Sequence, residues 1–182
     1  MEGLRIGISG PSGSGKTSVA EEVAAHLGIP FLRAKDVTSP ILDKGGYDYS
    51  EGRPVERFLQ TEERQLEILD ATERSHSCSS FVTDRTFIDI AAYALAGSDF
   101  LRPDVVEGIL KKCEALSWGY SHVFILQPSR LVFNARRTMN ISFQKMIYLL
   151  ENGILREWVI PFKNVYGDTT AQKAAGIISM IT

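Results

Sequence analysis

The run Gly10-Pro11-Ser12-Gly13-Ser14-Gly15-Lys16-Thr17 constrains this chain more than any other part of it. It satisfies GxxxxGK[ST] at every fixed position, and its flanks are of the right kind. Leu4 to Ser9 is a short apolar-leaning run closed by Gly10-Pro11, and Ser18 to Leu27 carries Val19, Val23, Ala24 and Leu27 at helical spacing. The pattern predicts strand, glycine-rich turn, helix. Glycines let the backbone curl around an anion, so that consecutive N–H groups and the positive end of the following helix face it. The expected phosphate cradle is therefore Gly10, Pro11, Ser12, Gly13, Ser14, Gly15, Lys16, Thr17 and Ser18, with Lys16 directed at the outer phosphates and the Thr17 hydroxyl available to magnesium. A glycine- and serine-rich turn without a ligand is the bland alternative, and the strand and helix on either side count against it. ATP and Mg2+ are the expected cofactors.

Beyond the cradle, strands and helices alternate. Phe31 to Ala34 reads as a brief second strand, Lys35 to Pro54 as a long loop without sustained period, and Val55 to about Ser75 as a charged surface helix with a buried stripe. Phe81 to Thr83 predicts a third strand, Thr86 to Leu95 a helix, and Pro103 to Leu116 another helix opened by proline. His122 to Leu126 is a buried fourth strand, and a helix from about Ser142 follows, weakened at its end by Gly153. Trp158 to Val165 predicts a fifth strand, at an edge because of Pro161, and Ala171 to Ile181 a final helix. Such alternation implies parallel pairing, right-handed crossovers and helices on both faces of one sheet: an α/β, three-layer fold with its ligands beyond the carboxyl ends of the strands.

The chain has 182 residues, enough for one domain, 1–182. Its formal net charge of -2 argues against an extended nucleic-acid surface. No apolar run approaches the roughly 20 residues a membrane span needs, and the N-terminus lacks the order of a secretory signal, so a cytoplasmic protein with no membrane partner is expected. Cys78 and Cys113 stand apart without a CxxC and read as free thiols.

Asp84 and Arg85 fall at the carboxyl end of the third strand, next to the expected cradle. The Asp84 carboxylate suits magnesium, and the planar Arg85 fork suits phosphate oxygens; a buried ion pair or a helix cap by Asp84 is the alternative. Asp36 follows the second strand, where a base could take a proton from an attacking hydroxyl, with Asp43 and Asp48 as substitutes. Arg130, Arg136 and Arg137 are candidates to close over the site, weighed evenly against a solvated basic loop. Tyr47, Tyr49, Phe58, Gln60 and Gln65 fall where an acceptor would sit, although core packing explains Phe58 equally well.

These residues resemble the P-loop nucleoside and nucleotide kinases, particularly small AAA-type ATPase/kinase-like proteins related to the kinase domain of the nicotinamide-nucleotide regulator. The resemblance rests on Gly10 to Thr17, on Thr83-Asp84-Arg85-Thr86-Phe87-Ile88-Asp89 with Ala91-Ala92-Tyr93, and on Leu126-Gln127-Pro128 leading into an arginine segment. It implies a five-stranded sheet in the order 2-3-1-4-5, an acceptor-binding insert over about 36–80 and an arginine lid over about 128–142. Arg137 looks like the arginine of the lid's D-G-x-R segment, with Asn134-Ala135 in place of Asp-Gly, and Phe143 and Gln144 stand where a second lid arginine would be. Many such relatives are phage-encoded. The expected function is transfer of the γ-phosphoryl group of ATP to a nucleoside or (deoxy)nucleoside monophosphate. A kinase for a hydroxymethylated base in DNA is a second, less favoured reading, and a nucleotide-driven switch or assembly ATPase a third. The residues leave a homodimer open.

Overall fold

The computed structural model of the chain describes residues 3–48, 55, 59–127 and 141–181. Its strands are β1 (Arg5–Ser9), β2 (Phe31–Leu32), β3 (Phe81–Thr83), β4 (His122–Leu126) and β5 (Lys163–Val165). All pair in parallel, in the order β2-β3-β1-β4-β5. The cradle strand is thus central: Gly7 is in register with Thr83 on one side and with Val123 on the other.

Alternation along the strands divides the core between the two faces. Ile6 and Ile8 of β1, Val82, Phe124 and Leu126 pack against Val19, Ala20 and Val23 of helix α1 (Lys16–Leu27) and against Ala174 and Ile177 of helix α7 (Thr170–Ile181). Val123 and Ile125 point the other way. They meet the second core cluster, built from α2 (Ala34–Lys44), α3 (Glu62–Ser75), α4 (Phe87–Ala96), α5 (Pro103–Ser117) and α6 (Ile141–Glu157). Gly7 lies on this second face, where a Cβ would crowd its neighbours, standing 3.0 Å from Thr86 Cγ2 and 3.4 Å from the Tyr120 ring.

Four boundaries differ from the sequence reading, the first being the helix expected from Val55, which opens as α3 at Glu62, where the Thr61 side chain accepts from the Arg64 N–H. The segment expected as a loop from Lys35 is helix α2 as far as Lys44, despite Pro40 inside it. Proline removes one intrahelical hydrogen bond, but Val37, Thr38, Ile41 and Leu42 form a buried stripe that holds the turns together from outside. Ala34, expected in the second strand, opens that helix instead. Helix α6 runs through Gly153 and continues to Glu157. It closes with the Ile160 N–H donating to the Leu155 carbonyl and Val159 at φ 57°, so the expected strand from Trp158 shortens to Lys163–Val165. β5 is indeed an edge strand, with Pro161 ahead of it.

Candidate active site

The turn between β1 and α1 takes its shape from glycines in conformations that other residues avoid. Gly10, Gly13 and Gly15 have φ of 144°, 86° and 90°. At Gly10 space adds to the constraint, since a Cβ would lie 2.8 Å from the Leu126 carbonyl oxygen. Ser14 N–H donates to the Pro11 carbonyl at 3.1 Å, closing the loop on itself. Lys16 Nζ reaches back inside the loop, donating to the Gly10 carbonyl and, at 3.2 Å, to the Pro11 carbonyl. It also stands 3.9 Å from Asp89 Oδ1.

Thr17 and Asp84 come from elements separated by 67 residues, and the parallel pairing of β1 with β3 brings their side chains together. Thr17 Oγ1 donates to Asp84 Oδ2 at 2.5 Å, and the other carboxylate oxygen accepts from Ala34 N–H at 2.6 Å. Asp84 is 3% exposed. A hydroxyl and a buried carboxylate oxygen meeting beside a phosphate loop form a hard-oxygen donor pair of the sort magnesium takes when substrate phosphates and water complete its shell. The residues present therefore fit Mg2+.

Behind this pair, Asp89 sits in the first turn of α4. Its Oδ2 accepts from the Thr86 N–H at 2.8 Å and from the Thr86 hydroxyl at 2.7 Å, while Asp89 N–H donates to Thr86 Oγ1 at 3.1 Å; together they form a capping box. Ser9 Oγ at the end of β1 lies 2.5 Å from Thr86 Oγ1, which ties the cap to the strand that feeds the loop. From the opposite face of the sheet, Lys173 Nζ of α7 donates to the Ser14 carbonyl at 3.2 Å, and burial lowers its pKa.

A cavity of about 580 Å3 opens directly from the loop. At the phosphate end it is lined by Ser12, Gly13, Gly15, Lys16, Thr17, Ser18 and Asp84, and at the far end by Leu42, Leu59, Ile68, Ile90 and Tyr93. Between them stand Arg33, Lys35 and Arg85 with Gln60 and Gln65. Arg85 Nε is a buried donor with no acceptor among the described residues. Gln65, 3% exposed, gives its amide hydrogen to the Leu59 carbonyl at 2.9 Å.

Helix α2 divides its residues between two depressions by helical spacing. Lys35, Thr38, Ser39 and Leu42 line the main cavity; Asp36, Val37, Pro40 and Ile41 line a separate one with Glu67 and Arg74. Asp36, expected as a base beside the phosphates, is thus turned away from them, because it follows Lys35 by one residue on a helix rather than lying in a loop. Tyr47, expected to face an acceptor, is 7% exposed and packs in the core with Ile41, Leu42 and Leu59. Phe58, Tyr49, Arg130, Arg136 and Arg137 lie outside the described residues. Ser12, Gly13, Gly15, Lys16, Thr17 and Ser18 of the cradle line one space together with Asp84, Arg85 and Gln65, while Gly10, Pro11 and Ser14 do not line it. The site residues that sequence reading did not select are Lys35, Asp89, Glu151 and Lys173. Glu151 and Lys173 had a signal, each being a charged residue on the apolar stripe of a helix.

The sequence profile of the AAA domain family matches residues 5–172. The chain belongs to that AAA domain family. Among curated proteins it is similar to a cytidylate kinase of Archaeoglobus fulgidus, 39% identical over 74 residues, a stretch that covers 39% of this chain and only 38% of that protein. Among solved structures, the deoxyadenosine kinase of M. mycoides with dCMP and dCDP superposes with a TM-score of 0.65 at 12% identity, covering 98% of both chains. The NadR protein in complex with NR superposes with a TM-score of 0.69 at 11% identity, covering 99% of this chain and 50% of that one. The fold of this AAA domain is that of the P-loop nucleotide kinases, with the strand order that the resemblance implied.

Proposed function

We propose that this AAA domain is an ATP- and magnesium-dependent phosphotransferase that moves the γ-phosphoryl group of ATP to a nucleoside or nucleoside monophosphate. The observation that carries the reading is the 2.5 Å contact of Thr17 Oγ1 with Asp84 Oδ2, at the mouth of a cavity that continues from the phosphate loop into an apolar chamber. A switch or assembly ATPase needs the loop but not the extension of the cavity past it to Gln60, Gln65, Ile90 and Tyr93. The partial likeness to a cytidylate kinase supports the same reading.

In this reading the loop amides and the N-terminus of α1 hold the phosphates, and Lys16 exchanges the carbonyls of Gly10 and Pro11 for the outer phosphate oxygens. Thr17 and Asp84 would hold Mg2+, which would supply charge neutralisation at the phosphates. Arg85, with its unpartnered Nε, takes an anionic group of the acceptor or the charge that develops on the transferring group. Gln65, Gln60 and Tyr93 orient the acceptor over Ile90 and Leu59. The reaction asks the protein mainly to position its reactants and stabilise charge, which this set of groups can do.

Between the two acceptors the lining favours the monophosphate. A neutral hydroxyl needs a base, yet among the described residues the carboxylates that line the cavity are Asp84, with both oxygens taken by donors, and Asp89, whose Oδ2 is held by Thr86 and whose Oδ1 faces Lys16. Lys35, Arg33 and Arg85 offer positive charge instead, to which a phosphate monoester brings its own anionic nucleophile.

Incubation with ATP labelled in its γ-phosphate, magnesium and a panel of nucleosides, nucleoside monophosphates and DNAs tests the proposal. Label is expected on a monophosphate. Label that moves only to water, or only to a hydroxymethylated DNA, would replace this reading with one of the others.

A further inference from the structure

Glu151 lies midway along α6, on the face shared with Gln144, Ile147, Ile154 and Leu155, and is completely buried. A carboxylate costs several kcal/mol to bury unpaired, so its surroundings must account for it. Among the described residues, neither Glu151 oxygen meets a donor in full hydrogen-bond geometry. The groups that face it are the Asp89 carboxyl from α4, the Lys16 ammonium from α1 and the Gly10 N–H of the phosphate loop, with Tyr148 nearby on its own helix. Asp89 has an orphan of the same kind: its Oδ2 is taken up by Thr86, but among the described residues Oδ1 has no hydrogen-bond donor, and Lys16 approaches it to 3.9 Å.

Buried carboxylate oxygens without donors therefore face one another, and one proton resolves the arrangement. With Glu151 neutral, its O–H is free to turn to the Asp89 carboxylate and its carbonyl oxygen to the Gly10 N–H, and the cluster of Lys16, Asp89 and Glu151 is electrically balanced. With Glu151 ionised, two negative charges would share a dry site with one cation. Burial, and then the Asp89 charge, push the Glu151 pKa well up, in the same sense.

We propose that Glu151 is a positioning residue for Lys16: it remains protonated and donates its hydrogen bond to Asp89, so that Asp89 does not capture the lysine and Lys16 stays free to turn to a triphosphate. Without that proton donor, Asp89 Oδ1 would have Lys16 as its only partner, and a full ion pair in a buried site would hold the ammonium away from the phosphates. The inference rests on the triphosphate reading of the loop. It also gives α6 a direct hold on the cradle at two points, Glu151 at Gly10 and Gln144 opposite Gly13, where a Cβ would lie 3.7 Å from Gln144 Nε2.

Glu151→Gln and Glu151→Leu separate this role from simple packing. Glutamine keeps both the donor and the acceptor; leucine fills the space and keeps neither. Calorimetric titration with Mg·ATP should give Glu151→Gln an affinity within about threefold of the native chain, and Glu151→Leu an affinity about tenfold weaker or worse, as for loss of a hydrogen bond to a charged group. Thermal melts check that both variants fold. Independently, the infrared difference spectrum between the native chain and Glu151→Gln should contain the carbonyl stretch of one protonated carboxyl at neutral pH, and this decides the matter if the leucine variant does not fold. Absence of that band overturns the inference, as does leucine binding like the native chain or glutamine binding as poorly as leucine. A native chain that shows the band but binds no triphosphate would instead retire the functional reading and, with it, the role given to Lys16.

Discussion

Asp84 uses one carboxylate for two purposes: Oδ1 anchors the start of α2 through the Ala34 N–H, and Oδ2 meets Thr17. Asp84→Asn keeps the shape and loses the charge, so the magnesium concentration for half-maximal transfer should rise about tenfold or more. An unchanged metal dependence, measured by titrating magnesium in the transfer assay, would remove Asp84 from the metal shell. His76 makes a separate prediction, about stability. It is 4% exposed, stacked 4.8 Å from the Phe81 ring and within 3.3 Å of the Tyr120 hydroxyl, and burial, with the Arg5 guanidinium second, lowers its pKa from 6.5 to about 4. The folded state then binds this proton less readily than the unfolded state. The contribution of His76 is fully present above 6.5 and is lost as pH falls from there towards 4, at up to about 1.4 kcal/mol per pH unit. Urea unfolding across that window should show this slope in the native chain and a shallower one in His76→Phe; equal slopes would mean that His76 titrates as it does in the unfolded chain. At this scale the sequence was informative where a residue type can do only one thing. Gly10, Lys16 and Thr17 announced themselves, whereas Asp36 and Tyr47 were assigned by proximity along the chain, which a helix overrides within one residue.

Helix α4 shows how an element can hold a site in place. Its capping box, Thr86 with Asp89, fixes the helix start, and the Ser9–Thr86 contact fixes the box to β1. Thr86→Ala removes the cap and leaves Asp89 with fewer donors, so a loss of about 2 kcal/mol in urea unfolding is expected, with Thr86→Ser retaining most of it. A loss below about half a kcal/mol would mean that packing of Phe87, Ile88 and Ala91 alone sets the helix. Of the elements, α2 departs furthest from the sequence reading, because Pro40 and the nearby glycines suggest a loop. The stripe Val37, Thr38, Ile41 and Leu42 was present in the sequence, but it stabilises a helix only when α3 and the core lie against it, and that partner is not visible from the segment itself. The length of β5 was overestimated for a related reason. Apolar residues from Trp158 onward serve the end of α6 and the turn after it, not a strand.

For the whole molecule, alternation of strands and helices was sufficient to predict a parallel sheet covered on both faces, since few other arrangements bury Ile6, Ile8, Val123 and Ile125 at once. The order β2-β3-β1-β4-β5 followed from the resemblance, because local pattern does not say which strand lies beside which. That order is what places Thr83 and Asp84 next to the phosphate loop, so the site is a property of the topology more than of any segment. Among the described residues no helix is long and apolar enough to cross a membrane. Everything proposed for the acceptor, for Arg85 and for Glu151 presupposes that the loop from Gly10 to Thr17 takes a triphosphate. Isothermal titration of the chain with ATP and magnesium measures this directly. Saturable binding at one site is expected, reduced about a hundredfold or more in a folded Lys16→Ala variant; no measurable binding by the native chain, or equal binding by the variant, would contradict the account.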